Sequence, residues 1–320
     1  MKKALMYSKR ILLKQKAAVA ILAMLLLMLL FDTPFYTGYN WINILRGVAI
    51  QEIVAFGVTM TVLCAACDLS VGSTMCLSGI VCVMMINTGA PIALGILGGL
   101  LSGALVGLVN GFLVVQQRTE PFIITLGMGI LVKGICQVLT DAHPLSCENM
   151  GFMQVANYKL FGSVPSIIVY MLILLGVFIW ILRFTSYGRK CYAIGGNYEV
   201  AKYAGINVVA IKWSAFVISG VMAALAGILL SSRMNSASSI YGDNTGMLVN
   251  CGVVIGGTSF AGGVGGVIES FVGVLVLQLM TNCMDNLGIG AYVQKLLQGL
   301  VVVLILGFDC LGRKRKRENV

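Results

Sequence analysis

The sequence has few charged residues and only one histidine. Asp, Glu, Lys and Arg together make up 11% of its 320 residues, whereas about a quarter of a soluble domain is charged. So little charge excludes a soluble enzyme, because the surface of a soluble protein must face water. The high apolar content excludes a disordered protein. With His143 as the single histidine, general acid–base catalysis lacks its commonest residue.

Catalytic and nucleotide-binding motifs are also missing. The sequence has no G-x-x-x-x-G-K-[ST] phosphate loop, no H-E-x-x-H zinc motif and no G-x-S-x-G nucleophile motif. Cys64 and Cys67 have the spacing of a metal or redox motif, but no second Cys pair or His cluster completes a site, so packing is the favoured interpretation. We therefore expect no enzyme activity, no metal and no cofactor, and any ATP must be hydrolysed by another chain.

Apolar residues take the place of the missing charge. Hydrophobic residues account for 58% of the chain, 39 further residues are glycine, and the mean hydropathy is +0.95. A helix needs about 20 mainly apolar residues to cross a bilayer. We expect an all-α, polytopic transmembrane helix bundle with about ten spans, some of them broken or re-entrant. The expected segments are residues 17–31, 43–66, 73–88, 91–115, 121–140, 164–182, 211–231, 247–258, 264–282 and 289–309.

Polar and glycine-rich residues interrupt the apolar sequence at two places. The first interruption is residues 67–73, Cys-Asp-Leu-Ser-Val-Gly-Ser, and the second is residues 256–266, which include six glycines. Backbone that leaves the helix at membrane depth needs internal partners or a water-lined cavity. Transporters place such breaks around a substrate path, often in matching positions of two repeats. The two interruptions are therefore compatible with an internal repeat.

The basic residues predict how the chain is oriented in the membrane. With the N-terminus in the cytoplasm, 17 of the 22 Lys and Arg residues fall on the cytoplasmic side, as the positive-inside rule requires. Both termini are then cytoplasmic. The predicted parts are a basic segment 1–16, a transmembrane domain 17–311 with a cytoplasmic loop 183–212, and a basic tail 312–320. Orientation and contact with anionic lipid explain the positive charge better than nucleic acid does.

A few polar side chains lie within or between the apolar segments. Asp68 is the most informative, because a carboxylate within the bilayer is costly and usually functional. Two interpretations stay open for Asp68 and its neighbour Ser70: a cap on the helix that starts there, which is favoured, and a contact with the transported species. Lys133 either extends to the interface or pairs with a carboxylate. For three isolated polar residues, a hydrogen bond between helices is favoured over a contact with a ligand. They are Asn110, Thr125 and Asn250.

A short helix is predicted inside the loop 183–212. Asn197 is a good N-cap and Glu199 suits the positive start of a helix. Lys202 suits the negative end, and Gly205 supplies a left-handed stop. A helix of two turns is unstable alone in water, so docking on the membrane domain or on a partner must hold it. A cytoplasmic helix between two spans is an element that a motor subunit can push.

Four groups of residues carry a resemblance to a known family. In chain order they are Asp68-Leu69-Ser70-Val71-Gly72, then Pro121 to Met128, then Gly188-Arg189 through Gly195-Gly196-Asn197 to Gly205-Ile206-Asn207, then Gly256-Gly257-Thr258-Ser259 with Gly262-Gly263. Over about residues 43–310 the sequence resembles the permease subunits of ribose-type importers of the ATP-binding cassette class. The wider superfamily of sugar and branched-chain amino acid permeases also serves other pentoses, hexoses and nucleosides.

The resemblance implies a function and a set of partners. It implies a permease in the bacterial inner membrane that translocates a monosaccharide or a related small polar solute. The implied partners are a cytoplasmic ATP-binding subunit, an extracytoplasmic solute-binding protein, a second permease copy (homodimer or pseudo-dimer) and membrane lipid, with no nucleic acid. The stretch from Gly195 to Gly205 matches the family's coupling segment. Its assigned residues are Gly195, Gly196, Asn197, Glu199, Ala201 and Gly205, and replacing Glu199 or Gly205 should uncouple transport from ATP hydrolysis.

The substrate path is assigned to polar residues near the two interruptions. They are Asp68, Ser70, Asn110, Thr125, Asn250, Thr258 and Ser259. The chain departs from the family pattern ahead of the second interruption, where sugar permeases often carry Tyr-Glu-Leu-Asp and this chain has Thr245 to Leu248. Both acidic positions are lost, and Asn250 and Cys251 replace small apolar residues, so we assign no specific sugar. Lys133 stands where arginine is common, which keeps the charge but not the bidentate fork.

Two other function classes stay open. An ion-coupled secondary transporter or channel needs intramembrane carboxylates or arginines, and only Asp68 and Glu269 are candidates outside the loops. Transport driven by an ion gradient without an ATPase subunit would favour this class. A membrane enzyme lacks paired acid–base residues here, and turnover by the purified chain alone would be needed to support it.

Overall fold

The structure is a computed structural model that describes residues 16–31, 33–117, 119–160, 164–301 and 303. Three of the basic regions used to predict orientation lie outside these residues. They are residues 1–15 of the N-terminal segment, Arg118 and the whole basic tail 312–320. The division into segments 1–16, 17–311 and 312–320 therefore stays a prediction.

The described chain is almost entirely helical, as its long apolar runs require, and the predicted all-α fold is confirmed. The helices are α1 (Lys16–Met28), α2 (Gly38–Leu63), α3 (Val71–Asn87), α4 (Ile92–Gly111), α5 (Pro121–Thr140), α6 (Met150–Asn157), α7 (Ser166–Phe184), α8 (Ser186–Gly196), α9 (Tyr198–Tyr203), α10 (Val208–Met234), α11 (Thr245–Gly256), α12 (Val267–Asn286) and α13 (291–301). A 3-10 turn (Pro34–Tyr36) precedes α2, and a π-helical stretch (Phe112–Gln116) extends α4.

Six of these helices are long and apolar enough to cross a membrane. They are α2, α4 with its π-helical extension, α5, α7, α10 and α12. The helices α1, α3 and α11 are apolar but shorter. The fold is thus a helical membrane bundle. Each of the ten predicted segments overlaps a helix, but a count of ten crossings stays a prediction, because the shorter helices do not by themselves reach across a hydrocarbon core about 30 Å thick.

The helices α2 and α10 form the centre of the bundle. Most of α2 is buried, and α10 packs against α2, α3 and α4. Close approach between α10 and α4 depends on glycine: a methyl group at Gly220 would overlap the backbone carbonyl of Gly103, and one at Gly103 would overlap that of Gly220. Small residues of this kind let membrane helices pack by van der Waals contact where lipid offers no hydrophobic gain.

Short elements define the two ends of the bundle. At one end, called the α6 end here, α6 lies beside two small antiparallel strand pairs, β1 (Leu145–Ser146) with β4 (Ser236–Ala237) and β2 (Lys159–Leu160) with β3 (Val164–Pro165). The opposite end carries α8 and α9 and is called the α9 end. The predicted loop 183–212 is therefore mostly helical, because α8 and α9 occupy its middle, α7 continues to Phe184 and α10 begins at Val208.

Candidate functional site

The candidate site lies around the two predicted interruptions of the apolar sequence. The first, residues 64–70, separates α2 from α3, and the second, residues 257–266, separates α11 from α12. With 12 residues, α11 is about 18 Å long, so it spans only part of the membrane. Its start lies against the start of α3: a methyl group at Gly72 would overlap the carbonyl oxygen of Gly242, and one at Gly246 that of Leu69. The short helix α11 and the longer α3 thus begin next to each other inside the bundle.

Asp68 is the centre of a buried polar cluster at this junction. Its Oδ1 atom accepts hydrogen bonds from the backbone N–H of Ser70 at 3.1 Å and from the Ser70 hydroxyl at 2.6 Å. Its Oδ2 atom accepts from the hydroxyl of Ser219 in α10 at 2.7 Å. The carboxylate also lies at the positive start of α3. These contacts agree with the capping interpretation of Asp68, since both of its oxygens are engaged by the protein itself.

Three more of the predicted path residues join the same cluster. Asn110 of α4 donates to the Ser70 hydroxyl at 2.8 Å, and the hydroxyl of Thr125 in α5 accepts from the backbone N–H of Leu69 at 3.1 Å. Asn250 of α11 donates from Nδ2 to the backbone carbonyl of Asp68 at 2.9 Å. Side chains from α4, α5 and α11 therefore converge on Asp68, Leu69 and Ser70 in the first interruption, and each of the three bridges two elements.

Thr258 and Ser259 do not belong to this cluster. The Thr258 hydroxyl lies 3.2 Å from the hydroxyl of Ser270, which in turn accepts from the hydroxyl of Thr59 at 2.8 Å. The hydroxyl of Ser259 accepts from the backbone N–H of Ala261 at 3.2 Å and shapes its own loop. The structure thus divides the seven predicted path residues into one group of five and two others that hold the second interruption.

The predicted short helix is present as α9. Asn197 caps its start by accepting from the backbone N–H of Val200 at 3.1 Å. At its end, Gly205 adopts a left-handed conformation with φ of +79°. The N–H of Ile206 donates to the carbonyl of Ala201 at 3.1 Å and that of Gly205 to Lys202 at 3.0 Å. This pair of bonds is the Schellman motif, so the local prediction for this segment is confirmed.

The coupling residues have different surroundings. Gly196, Asn197, Glu199 and Gly205 are exposed at the α9 end, as a docking surface requires, whereas Ala201 is buried and Gly195 is half-buried. Ala201 packs in a small apolar cluster with Ile194 and Val208 that fixes α9 to α8 and α10. The sequence had grouped these residues by motif alone.

Gly195 joins the coupling segment to both interruptions. The backbone N–H of Gly263 donates to the carbonyl of Leu63, the last residue of α2, at 3.0 Å. A methyl group at Gly195 would overlap this same carbonyl and the nitrogen of Gly263. Tyr192 of α8 adds a hydrogen bond from its hydroxyl to the carbonyl of Gly265 at 2.8 Å. Burial, with a smaller effect of the nearby Glu269 carboxylate, raises the pKa of the Tyr192 phenol.

A groove of about 380 Å³ opens beside the polar cluster. It runs between α5 and α11, and residues of the first interruption line it at the α9 end. Its lining is mostly apolar, with the side chains of Asn250, Cys67 and Glu120 as the polar groups. The remaining lining residues are Ala65, Ala66, Leu69, Pro121, Phe122, Met247, Cys251 and Phe260. A mostly apolar cleft with a few convergent polar groups is the usual form of a small-molecule site.

Glu52 is a buried carboxylate that was not predicted from the sequence, whereas the predicted candidate Glu269 lies at the surface. Glu52 lies in the middle of α2 with 0% of its surface exposed, and among the described residues neither of its carboxylate oxygens has a hydrogen-bond partner. Glu269 is exposed in the first turn of α12. A glutamate within the apolar run 43–66 was visible in the sequence, so the statement that only Asp68 and Glu269 lie outside the loops was wrong.

Comparison with known proteins agrees with this architecture. Residues 40–306 match the family model described as the permease component of branched-chain amino acid transport systems. The chain belongs to this permease family. The permease is 35% identical to the ribose import permease protein RbsC of Haemophilus influenzae over 315 residues, which are 96% of each chain.

Two relatives from Escherichia coli strain K12 extend the comparison. The permease is 32% identical to the ribose import permease protein RbsC over 311 residues, which are 95% of each chain. It is also 32% identical to the galactose/methyl galactoside import permease protein MglC over 324 aligned positions, which cover 95% of this chain and 96% of that protein. The resemblance to ribose-type permeases is thus confirmed, and the chain is a multi-pass membrane protein.

Proposed function

We propose that this chain is the membrane-spanning permease subunit of an ATP-driven importer for a monosaccharide or a related small polar solute. In this proposal an extracytoplasmic binding protein delivers the solute, and a separate cytoplasmic subunit hydrolyses ATP. Two permease copies surround the path. The permease lies in a bacterial inner membrane, with the α9 end and both termini on the cytoplasmic side.

The relatives support the substrate class. Proteins similar to this chain over nearly their whole lengths are named as import permeases for ribose and for galactose or methyl galactoside. A further relative, at 32% identity over 288 residues, is named as a permease of an L-arabinose transport system. The sugars in these names are all neutral monosaccharides or their glycosides. A neutral polyhydroxylated solute is therefore the best-supported substrate class for this permease.

The observation that carries the proposal is the contact of the coupling segment with both interruptions. Force applied to the exposed surface of α9 reaches α8 through the Ala201 cluster and then the backbone at Leu63 and Gly263 through Gly195. These are the points where α2 gives way to α3 and α11 to α12. Packed helices shift as units rather than deform continuously, so movement of α9 is expected to shift α11, which lines the groove, and α3, which begins beside it.

Glu52 is the observation that favours a second candidate, an ion-coupled carrier. A buried carboxylate without a partner is the kind of group that binds a coupling ion in membrane transporters. The proposed ATP-driven function has no role for it. A test of the function must therefore include an ion gradient as well as ATP.

Uptake by the complete importer tests the proposal. Proteoliposomes that contain the permease, its ATP-binding subunit and the external binding protein are supplied with radiolabelled D-ribose, D-galactose or L-arabinose. We expect uptake of at least one sugar to require internal ATP and to stop when the ATP-binding subunit is catalytically inactive. Uptake that follows a proton or sodium gradient and persists without the ATP-binding subunit would contradict the proposal and support the carrier.

A further inference from the structure

An ion pair connects the two walls of the groove towards the α6 end. Lys133 of α5 and Asp243, two residues before α11, lie with 2.6 Å between Nζ and Oδ1. The backbone beside Asp243 is held over α3, because the N–H of Gly242 donates to the sulfur of Cys76 at 3.0 Å. On the opposite wall, the thiol of Cys136 in α5 contacts the carbonyl of Ser73. The ion pair therefore joins α5 to the segment before α11 above a floor formed by α3.

The pair lies between the same two walls as the groove, further towards the α6 end. On α5, Phe122, Leu126 and Lys133 recur at helical spacing and share one side of the helix, and Phe122 lines the groove. On the other wall, Asp243 comes four residues before Met247, which also lines the groove. Neither charged residue is among those that line the groove, so the ion pair lies beyond the groove, on the side away from Glu120 and Cys67.

The depth of the pair shows that this face does not contact lipid alone. Lys133 lies seven residues before Thr140 at the end of α5, which is about 10 Å at 1.5 Å per residue. Even so, the two side chains are 39% and 41% exposed. Charged groups exposed to hydrocarbon at such depth are costly and normally face a water-filled cavity or a partner. This face of the permease therefore meets water, a polar solute or a protein partner such as the second permease copy.

Asn250 supplies an independent indication of a ligand. Both hydrogens of its Nδ2 are used, by the carbonyls of Asp68 at 2.9 Å and Gly246 at 2.7 Å. Within the part of the chain that the structure describes, its Oδ1 has no hydrogen-bond partner, although the residue is only 2% exposed and lines the groove. Because two carbonyls surround the nitrogen, turning the amide over would not satisfy the oxygen. A buried acceptor left unpaired is costly, and a hydroxyl group in the groove would satisfy it.

We infer that the groove between α5 and α11 binds the transported solute and that the Lys133–Asp243 ion pair is the latch that closes its α6 end. This inference rests on the proposed function, because it takes the α6 end to be external. The latch opens when the ion pair separates, and hydroxyl groups of the solute then replace it by accepting from the ammonium and donating to the carboxylate.

The chemistry of the groove fits a neutral polyhydroxylated solute. The latch carries equal and opposite charges, so an anion or a cation would gain from one side chain and be repelled by the other. Phe122 and Phe260 offer aromatic surface to the apolar faces of a sugar ring, and Asn250 offers one acceptor. A few placed polar groups on an otherwise apolar lining set the orientation of a small ligand.

The native thiol of Cys67 makes the latch testable without knowledge of the solute. Cys67 is half-buried and lines the groove on the far side of the latch. The complete importer is placed in sealed vesicles with its α6 end outward, and a membrane-impermeant methanethiosulfonate is added outside. The rate of modification of Cys67 is then read by mass spectrometry of its peptide. The thiolate displaces methanesulfinate and forms a mixed disulfide, so the signal needs neither ATP nor sugar.

The decisive variant replaces both charges without changing the net charge. In Lys133→Met with Asp243→Asn, we expect Cys67 to be modified about fivefold faster than in the unmodified protein, which is the population shift that loss of a partly exposed ion pair allows. The exchanged pair, Lys133→Asp with Asp243→Lys, restores the latch and should return the rate to that of the unmodified protein. Lys159→Met, on the exposed strand β2 and away from the groove, is the matched control and should change nothing.

Two results would overturn the inference. The first is an equal rate of Cys67 modification in the unmodified protein and in the uncharged double variant. The second is a fast rate in the exchanged pair, because a latch made by charge must survive the exchange. Failure of ATP-driven sugar uptake with the expected modification rates would instead contradict the proposed function and leave the latch in place.

Discussion

At some positions of this permease, glycine is required because another part of the backbone lies close to it, rather than because of its own backbone conformation. Gly195 and Gly196 are neighbours in the same helix, yet a side chain at Gly195 meets the backbone of Leu63 and Gly263 and one at Gly196 meets nothing within 4 Å. Backbone atoms cannot move aside as a flexible side chain can. The pair therefore offers a matched test of the contact that carries the proposed coupling.

Gly195→Ala is expected to damage the protein and Gly196→Ala is not. The alanine at 195 should lower the free energy of unfolding by about 1–3 kcal/mol, as overpacking does, and should separate α8 from the interruptions. The measurements are the midpoint of thermal inactivation in detergent and the sugar uptake per ATP hydrolysed. Equal behaviour of the two variants would remove Gly195 from the coupling account.

Asp68 can be tested for a structural role against a direct contact with solute. In Asp68→Asn the amide keeps Oδ1 as an acceptor for Ser70, and the Ser219 hydroxyl can rotate to accept from the new NH₂ group. We therefore expect Asp68→Asn to cost about 1 kcal/mol and Asp68→Ala about 3 kcal/mol of stability, since the alanine leaves buried donors unpaired. Ser219→Ala should resemble the asparagine variant.

The measurement for Asp68 is again the midpoint of thermal inactivation, with uptake recorded in parallel. If Asp68 is structural, its variants should lose sugar uptake only in proportion to their loss of thermal stability. Normal stability with complete loss of uptake in Asp68→Asn would show instead that the carboxylate contacts the solute, which is the alternative that the sequence left open.

At the scale of elements, α9 is a helix of six residues that depends on its two ends. Asn197 provides the N-terminal cap and Gly205 the left-handed stop. With one turn and a half, it has almost no cooperative stability of its own. The ends therefore decide whether the exposed surface of Glu199 keeps its shape when a partner presses on it.

Loss of the cap should uncouple ATP hydrolysis from transport while the permease still inserts. We expect Asn197→Ala to destabilise α9 by about 1 kcal/mol, whereas Asn197→Asp keeps the side-chain acceptor and serves as the control. Gly205→Ala should cost a similar amount, about 1 kcal/mol for a left-handed alanine. The measurement is the ratio of sugar uptake to ATP hydrolysis in proteoliposomes, and an unchanged ratio in both Asn197→Ala and Gly205→Ala would contradict the role of α9.

At the scale of the whole molecule, the orientation of the bundle determines which end each partner meets. The α9 end carries the coupling segment and the α6 end carries the latch, so the proposed function requires the two ends to face opposite compartments. Tyr203 at the α9 end is 86% exposed and Tyr158 at the α6 end is 61% exposed, which makes them suitable reporters.

Single cysteines at these positions test the orientation. In intact cells, an impermeant maleimide should label Tyr158→Cys but not Tyr203→Cys. After the inner membrane is opened, both should be labelled, which excludes a hidden side chain as the reason for the first result. The same permease without either substitution measures the background of the native thiols, most of which are buried. External labelling of Tyr203→Cys would reverse the assignment of partners to the two ends.

Properties that depend on near neighbours along the chain could be predicted from the sequence. Apolar length and the low charge indicated a membrane helix bundle, and the residue types at positions 197, 199, 202 and 205 predicted the bounds and caps of α9. These signals act over one or two helical turns, because capping and helix periodicity involve residues within four or five positions of each other. The two interruptions were visible for the same reason.

Contacts between residues that are far apart in the chain depend on the packing of the bundle. Asp68 and Ser219 are 151 positions apart in the chain, and Lys133 and Asp243 are 110 apart, so no local signal joins either pair. The same holds for Gly195, whose contact with Leu63 and Gly263 exists only because α8 packs against the end of α2 and the loop after α11. The sequence alone determined that this chain lies in lipid and where its helices bend or stop, whereas only the tertiary structure decided which polar groups meet, because that depends on which helices pack side by side.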